Sequence, residues 1–170
     1  MGDDRERDQI YMRHMTTHHA QGIELARLGV ERASDPHLKA LAALMVASQA
    51  GENRIFEAWW KRWFALAMPA CSAQERADMP GYLTLAQMRQ AQSASAGEFD
   101  GIFTHLMTIH HAGAVRMADE AWRGHGDPRL RIMAHAIRHE QQGEIALMRR
   151  TTGLAAVSDA LRNMWADNVN

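Results

Sequence analysis

The 170-residue sequence contains one cysteine, Cys71. An internal disulfide is therefore excluded, and so is any cysteine-based zinc site. No run of about 18 apolar residues occurs, so no segment is expected to span a bilayer. Neither sign of charge dominates. Nineteen Lys and Arg stand against 20 Asp and Glu, for a formal net charge of −1. No basic run supplies the electrostatic footprint of a nucleic-acid binder. The opening Met1-Gly2-Asp3-Asp4-Arg5-Glu6-Arg7 does not read as a signal peptide. There is no Gly-rich phosphate loop and no nucleophile set beside an acid-base pair. What the chain has in quantity is 10 His, 12 Met and 5 Trp. Most single methionines are expected to fill core gaps.

Internal repetition organises the chain. Shifted by 92 positions, residues 8–56 overlay 100–148 without a gap and with 15 identities in 49 positions. The identities include Asp8/Asp100, Met15/Met107, His18/His110, His19/His111, Asp35/Asp127, Pro36/Pro128, Gln49/Gln141 and Glu52/Glu144. Each copy reads as two helices. Tyr11, Met15, His18, Gly22, Leu25 and Gly29 recur at steps of three and four, as do Phe103, Met107, His110, Ala114, Met117 and Ala121. Such a stripe belongs to a helix packed on others. Ser34-Asp35-Pro36 and Gly126-Asp127-Pro128 break it, because Pro disfavours helix before itself and suits a helix's first turn.

The second helix of copy one carries the stripe Leu38, Leu41, Met45, Ser48, Glu52, Ile55 and Trp59. That of copy two carries Leu130, Met133, Ile137, Gln141, Glu144 and Met148, with Gly153 as a stop. Two such hairpins predict an all-α four-helix bundle in one domain, 1–170. Repeat one covers about 8–63, a long crossover 64–98, repeat two about 99–152, and a short tail 153–170. Thr84-Leu85-Ala86-Gln87 reads as a capping box opening a short helix in the crossover.

Antiparallel helices bring residues equidistant from their turn to one height. His18 and Glu52 each lie 17 residues from Asp35, and His110 and Glu144 each lie 17 from Asp127. The spacing therefore predicts one imidazole beside one carboxylate in each hairpin, His18 with Glu52 and His110 with Glu144. Pseudo-two-fold packing would gather these pairs at the bundle centre. Adjacent helical residues point about 100° apart. His19 and His111 thus turn towards a neighbouring helix, on the flank of Met15 and Met107. Met-x-x-His-His on one face offers thioether and imidazole, which suit copper, above all Cu(I). Imidazole with carboxylate suits zinc, iron or manganese instead. A buried His-Glu layer can also be hydrogen-bonded core with no metal.

Weaker signals accompany this one. Glu24 stands opposite Arg116 in the repeat and reads as a solvated face. His135 and His139, four apart, replace Ala43 and Ala47 and form a secondary metal-binding candidate. Trp59, Trp60 and Trp63 span more than one helix face, so one of them is expected to be exposed as a partner surface or to cover the crossover.

The motifs Asp8-x-x-Tyr11-x-x-x-Met15-x-x-His18-His19, Gln49-x-x-Glu52, Met79-Pro80-Gly81 and Phe99-Asp100-x-x-Phe103-x-x-x-Met107-x-x-His110-His111-x-Gly113-Ala114-x-x-Met117-Ala118 resemble the bacterial domain-of-unknown-function 305 family. The resemblance covers about residues 8–150. The family includes CopM-like copper-binding proteins, so the resemblance implies a ferritin-like four-helix bundle and a metal-binding role. Members are often exported, which implies an extracytoplasmic location.

Three functions compete at this point. The first is copper sequestration or transfer, carried by Met15, His18, His19, Met107, His110 and His111, with Glu52 and Glu144 as ligands or as partners of the imidazoles. The second is metal-dependent catalysis, with zinc or iron as possible ions. Carboxylate-bridged di-metal sites need Glu-x-x-His on two helices, and the chain has none. The third is a structural or interaction bundle whose His-Glu layer sets helix register. A metal ion is the expected partner, and a homodimer through an exposed face is possible.

Overall fold

The computed structural model describes residues 2–124 and 126–150. His125, Gly153 and the tail 153–170 lie outside the described residues. The described chain is all-α: α1 (Gly2–Arg32), α2 (Pro36–Phe64), α3 (Ala73–Asp78), α4 (Leu85–Ser93), α5 (Ala96–Arg123) and α6 (Pro128–Met148). Helices α1 and α2 form one hairpin, α5 and α6 the other, and α1 packs on α5.

The hairpins start as the sequence dictates. Asp35 and Asp127 are N-caps, accepting from the amides of His37 and Arg129 at 2.9 Å, with Pro36 and Pro128 in the first turn. Caps of this kind contribute about 1 kcal/mol each. Each turn is also held by the opposite repeat. Asp100 of α5 accepts from the amides of Ser34 and Asp35 at 2.9 Å each, and Asp8 of α1 accepts from that of Asp127 at 2.9 Å. The two repeats thereby tie each other's turns.

The stripe on α2 differs from expectation in its second half. Buried positions run Leu38, Leu41, Met45, Gln49, Glu52, Phe56 and Trp60. Gln49, Phe56 and Trp60 replace Ser48, Ile55 and Trp59, and Ile55 is 41% exposed. A helix turns 3.6 residues per revolution, so a stripe written in threes and fours slips by one where the wrong step is chosen. None of the three tryptophans is fully exposed. Trp60 is buried, while Trp59 and Trp63 are half-buried and stacked at 5.3 Å. Arg129 lies over the Trp63 ring at 4.6 Å, so this cluster joins the end of α2 to the start of α6.

The crossover is more structured than expected. Capping boxes start both α3 (Ser72 with Glu75) and the anticipated α4 (Thr84 with Gln87). Between them Met79-Pro80-Gly81 lies against α5. Gly81 has φ +70°, and a Cβ on Gly113 would stand 2.0 Å from the Pro80 carbonyl oxygen. Only glycines permit this contact.

The core falls into two apolar clusters. One contains Leu25, Met45, Phe99, Phe103, Leu106 and Met107, the other Tyr11, Met12, Met15, Phe56, Met117 and Ile137. All four long helices also bury polar side chains, among them His18, His19, Gln49, Glu52, His110, His111, Gln141 and Glu144.

Candidate metal centre

Each of these eight polar side chains has its repeat equivalent among the other seven. All four histidines are 0% exposed. Burial of so many polar groups is costly unless each finds a partner, so their contacts decide what the layer does.

His18 and His110 meet across the α1–α5 interface with ring centroids 3.8 Å apart. A Cβ on Gly22 would stand 2.7 Å from His110 Cε1, so Gly22 makes room for that ring. Neither imidazole pairs with the carboxylate expected for it. His18 Nε2 lies 3.0 Å from the Pro80 carbonyl, and His110 Nε2 lies 3.0 Å from the His18 carbonyl. A carbonyl only accepts, so both Nε2 atoms donate, which leaves Nδ1 with its lone pair.

The carboxylates go to the other histidine of each pair. His19 Nε2 is 2.7 Å from Glu52 Oε2, and His111 Nε2 is 2.7 Å from Glu144 Oε2. The height was therefore right and the residue was not. Neighbouring residues differ by about 1.5 Å in height but by about 100° in direction. Counting from the turn does not separate them. The His111 contact is a hydrogen bond, whereas the His19 contact is out of line for one.

Burial favours the neutral forms of His18, His110, His111 and Glu144. Burial, then the neighbouring imidazoles, hold His18 and His110 well below the ordinary histidine range. Burial holds His111 at about 3. Burial, reinforced by Glu140, pushes Glu144 up to about 8.

The layer also holds a concentration of buried polar atoms without hydrogen-bond partners among the described residues. These are Nδ1 of His18, His19, His110 and His111, Nε2 of His19, both amide atoms of Gln49 and of Gln141, Glu52 Oε2 and Glu144 Oε1. Gln49 and Gln141 were not singled out as site residues. Their identity across the repeat, one turn before each Glu, was the signal that marks them. Met15 and Met107 lie in opposite apolar clusters. Each lies one helical turn before the His-His pair of its own repeat.

The secondary candidate does not assemble. The guanidinium of Arg138 reaches His135 Nδ1 at 3.4 Å and His139 Nε2 at 3.2 Å, and it pairs with Asp119 at 2.6 Å. A cation already occupies the space between these imidazoles. Glu24 is exposed, as expected.

One set of three His, Cys, Asp or Glu ligand atoms lies within 4.8 Å among the described residues, and it is His14, Cys71 and Glu75. Excluding every cysteine-based zinc site on composition was therefore too strong. A lone cysteine rules out a multi-cysteine site but not a mixed one.

Comparisons with known proteins agree with this architecture. A family model described as "Domain of unknown function (DUF305)" matches residues 8–152. A DUF305 fragment from Deinococcus radiodurans is similar at 29% identity and TM-score 0.76, over 84% of this chain and 93% of that one. A DUF305 protein from Streptomyces coelicolor is similar at 27% identity and TM-score 0.74, over 84% and 89%. CopM in its Cu(I)-bound form is similar at 26% identity and TM-score 0.71, over 84% and 93%. A search of curated proteins finds no match.

Proposed function

The chain belongs to the DUF305 family, and from that premise we propose that it binds copper as Cu(I) in the buried histidine layer, for sequestration or transfer rather than catalysis. One observation carries the reading. His18 and His110 each donate Nε2 to a backbone carbonyl and keep a buried Nδ1 without a partner, with their rings 3.8 Å apart. Histidines that ligate metals are arranged in this way, with the second ring nitrogen held by an oxygen that fixes the tautomer.

The donor chemistry favours a soft ion. Imidazoles with Met15 and Met107 one turn before them on the same helices suit Cu(I). Zinc sites take four N, O or S donors. Among the described residues the layer does not bring three His or carboxylate ligand atoms within 4.8 Å. The neutral state of His18, His110 and His111 is also the form that binds metal. CopM, solved with Cu(I), with Cu(II) and with silver, supports copper by similarity without choosing its oxidation state. An extracytoplasmic location fits this role. No described helix is long and apolar enough to cross a membrane.

The test is a Cu(I) titration under reducing conditions, with elemental analysis, on the wild type and on His18→Ala/His110→Ala. Copper at one or two equivalents, lost in the variant while circular dichroism stays helical, is the expected result. A wild type that binds no copper leaves the layer as core that sets helix register. Zinc, iron or manganese held in place of copper moves the weight to Glu52 and Glu144.

A further inference from the structure

We propose that His14, Cys71 and Glu75 form a second metal site, separate from the histidine layer, for a divalent ion of the zinc class. The three ligand atoms come from two places far apart in sequence. His14 sits on α1. Cys71 and Glu75 flank the start of α3, where Glu75 is the third residue of the capping box. All three ligand atoms lie within 4.8 Å of one another.

Each ligand is held in position. Glu75 accepts from the Ser72 amide at 2.7 Å and from Arg13 Nη2 at 2.9 and 3.1 Å. Its Oε1 is 3.4 Å from His14 Nε2. That is long for a hydrogen bond, but two ligands on one tetrahedral zinc, with bonds of 2.0–2.2 Å, stand roughly 3.4 Å apart. The Cys71 sulfur accepts from Thr17 Oγ1 at 3.3 Å, and its thiol donates to the Arg13 carbonyl at 3.6 Å, a bond that metal binding would replace. Arg76 donates to the Cys71 carbonyl at 2.6 Å and anchors its backbone.

One thiolate, one imidazole and one carboxylate make a borderline donor set. It suits zinc or cobalt better than the all-oxygen cations. Binding deprotonates Cys71 and releases that proton to solvent. Cys71 is buried, while His14 and Glu75 are half-buried, so a fourth position opens towards water. The site belongs to the first repeat only, because His14 corresponds to Leu106 in the second. It shares no residue with the histidine layer, so the two readings stand or fall separately.

Co(II) is the probe, because thiolate coordination gives it a near-ultraviolet charge-transfer band. The wild type is expected to bind one Co(II) with that band, and Zn(II) to displace it. His14→Ala should weaken binding at least tenfold, and Cys71→Ser should remove the band. His18→Ala/His110→Ala should retain it. No charge-transfer band in the wild type overturns the proposal, and so does a band that survives Cys71→Ser. Equal Co(II) affinity in the wild type and His14→Ala also overturns it. The wild-type spectrum and the His14→Ala titration decide the matter even where Cys71→Ser fails to fold.

Discussion

The imidazoles of His18 and His110 lie 3.8 Å apart, with their planes tilted by 33°, although they descend from one duplicated position. Their partners differ. His18 donates to Pro80 in the crossover, and His110 donates to the backbone of His18 itself. The crossover thus breaks the two-fold symmetry where the repeats meet. It takes one histidine's Nε2 and leaves the other to the opposing helix. Both Nδ1 atoms stay buried and unpartnered, which is the feature that turns a packing contact into a metal-binding candidate.

This contact depends on Gly22. A Cβ there would stand 2.4 Å from Gln49 Oε1 and 2.7 Å from His110 Cε1. Gly22→Ala is expected to destabilise the fold by about 1–3 kcal/mol, the usual cost of overpacking, and to weaken Cu(I) binding at least tenfold. Gly143→Ala is the control. Nothing lies within 4 Å of its Cβ, so ordinary helix propensity should make it stabilising by about 1 kcal/mol. Urea unfolding of both variants checks this, and equal midpoints would mean the layer relaxes freely around Gly22.

Met15 and Met107 test the identity of the metal. Both are fully buried, in separate apolar clusters. Met→Leu at both positions keeps volume and polarity, so each change should cost less than about 1.5 kcal/mol. If thioether sulfur ligates Cu(I), the double variant loses Cu(I) affinity at least tenfold and remains folded. Unchanged Cu(I) affinity would show that imidazole alone holds the ion.

The reciprocal turn clamps give a third expectation. Asp100 serves two amides of the first turn, and Asp8 serves the second. Removing either acceptor leaves donors unpaired, at about 1–3 kcal/mol. The two clamps sit at opposite ends of the bundle, so Asp8→Ala and Asp100→Ala should add to within about 0.5 kcal/mol. Thermal or urea unfolding of the two single variants and the double variant measures it. Strong coupling would mean that the turns communicate through the helices.

Much of this was legible in the sequence, for identifiable reasons. Duplication, helix stripes and the two Asp-Pro turns are local or periodic signals, and they appear in the structure except in the second half of α2, where the stripe slips by one residue. The height of the polar layer followed from counting outwards from Asp35 and Asp127. Which histidine meets Glu52 or Glu144 did not follow, because direction around the helix is independent of height. Gln49 and Gln141 carried the same repeat signal as the glutamates and were passed over. His14 and Cys71 share no period, repeat or motif. Their meeting is set by how the crossover folds back on α1, which a pattern along the chain does not encode.

The pH dependence of stability follows from the same layer. His18, His110 and His111 titrate below 6.5 in the fold, His111 at about 3, and near 6.5 when unfolded. Below pH 6.5 the unfolded chain takes up these three protons and the fold does not, so stability falls as pH falls. Glu144 has the opposite sign. It titrates at about 8 in the fold and at 4.5 unfolded, so its contribution is complete below pH 4.5 and fades as pH rises through 8. Between 4.5 and 6.5 the three histidines outnumber Glu144 and Asp8, whose carboxyl is also raised by burial, so stability falls on acidification. Towards pH 8 the unfolded histidines are neutral as well, Glu144 dominates, and stability declines by at most about 1.4 kcal/mol per unit. The depressed carboxylates Glu75, Glu98, Asp35 and Asp127 act only near and below pH 4.5. The metal-free protein should therefore be most stable between pH 6.5 and 7. Urea midpoints at about pH 5, 6.5 and 8 trace the dome, and Glu144→Gln should flatten its alkaline side and steepen its acid side, where Glu144 opposes the histidines. A stability that is level from pH 5 to 6.5 would mean that the histidines protonate inside the fold. Water would then reach the layer, and the neutral, dry imidazoles on which Cu(I) binding rests would be lost.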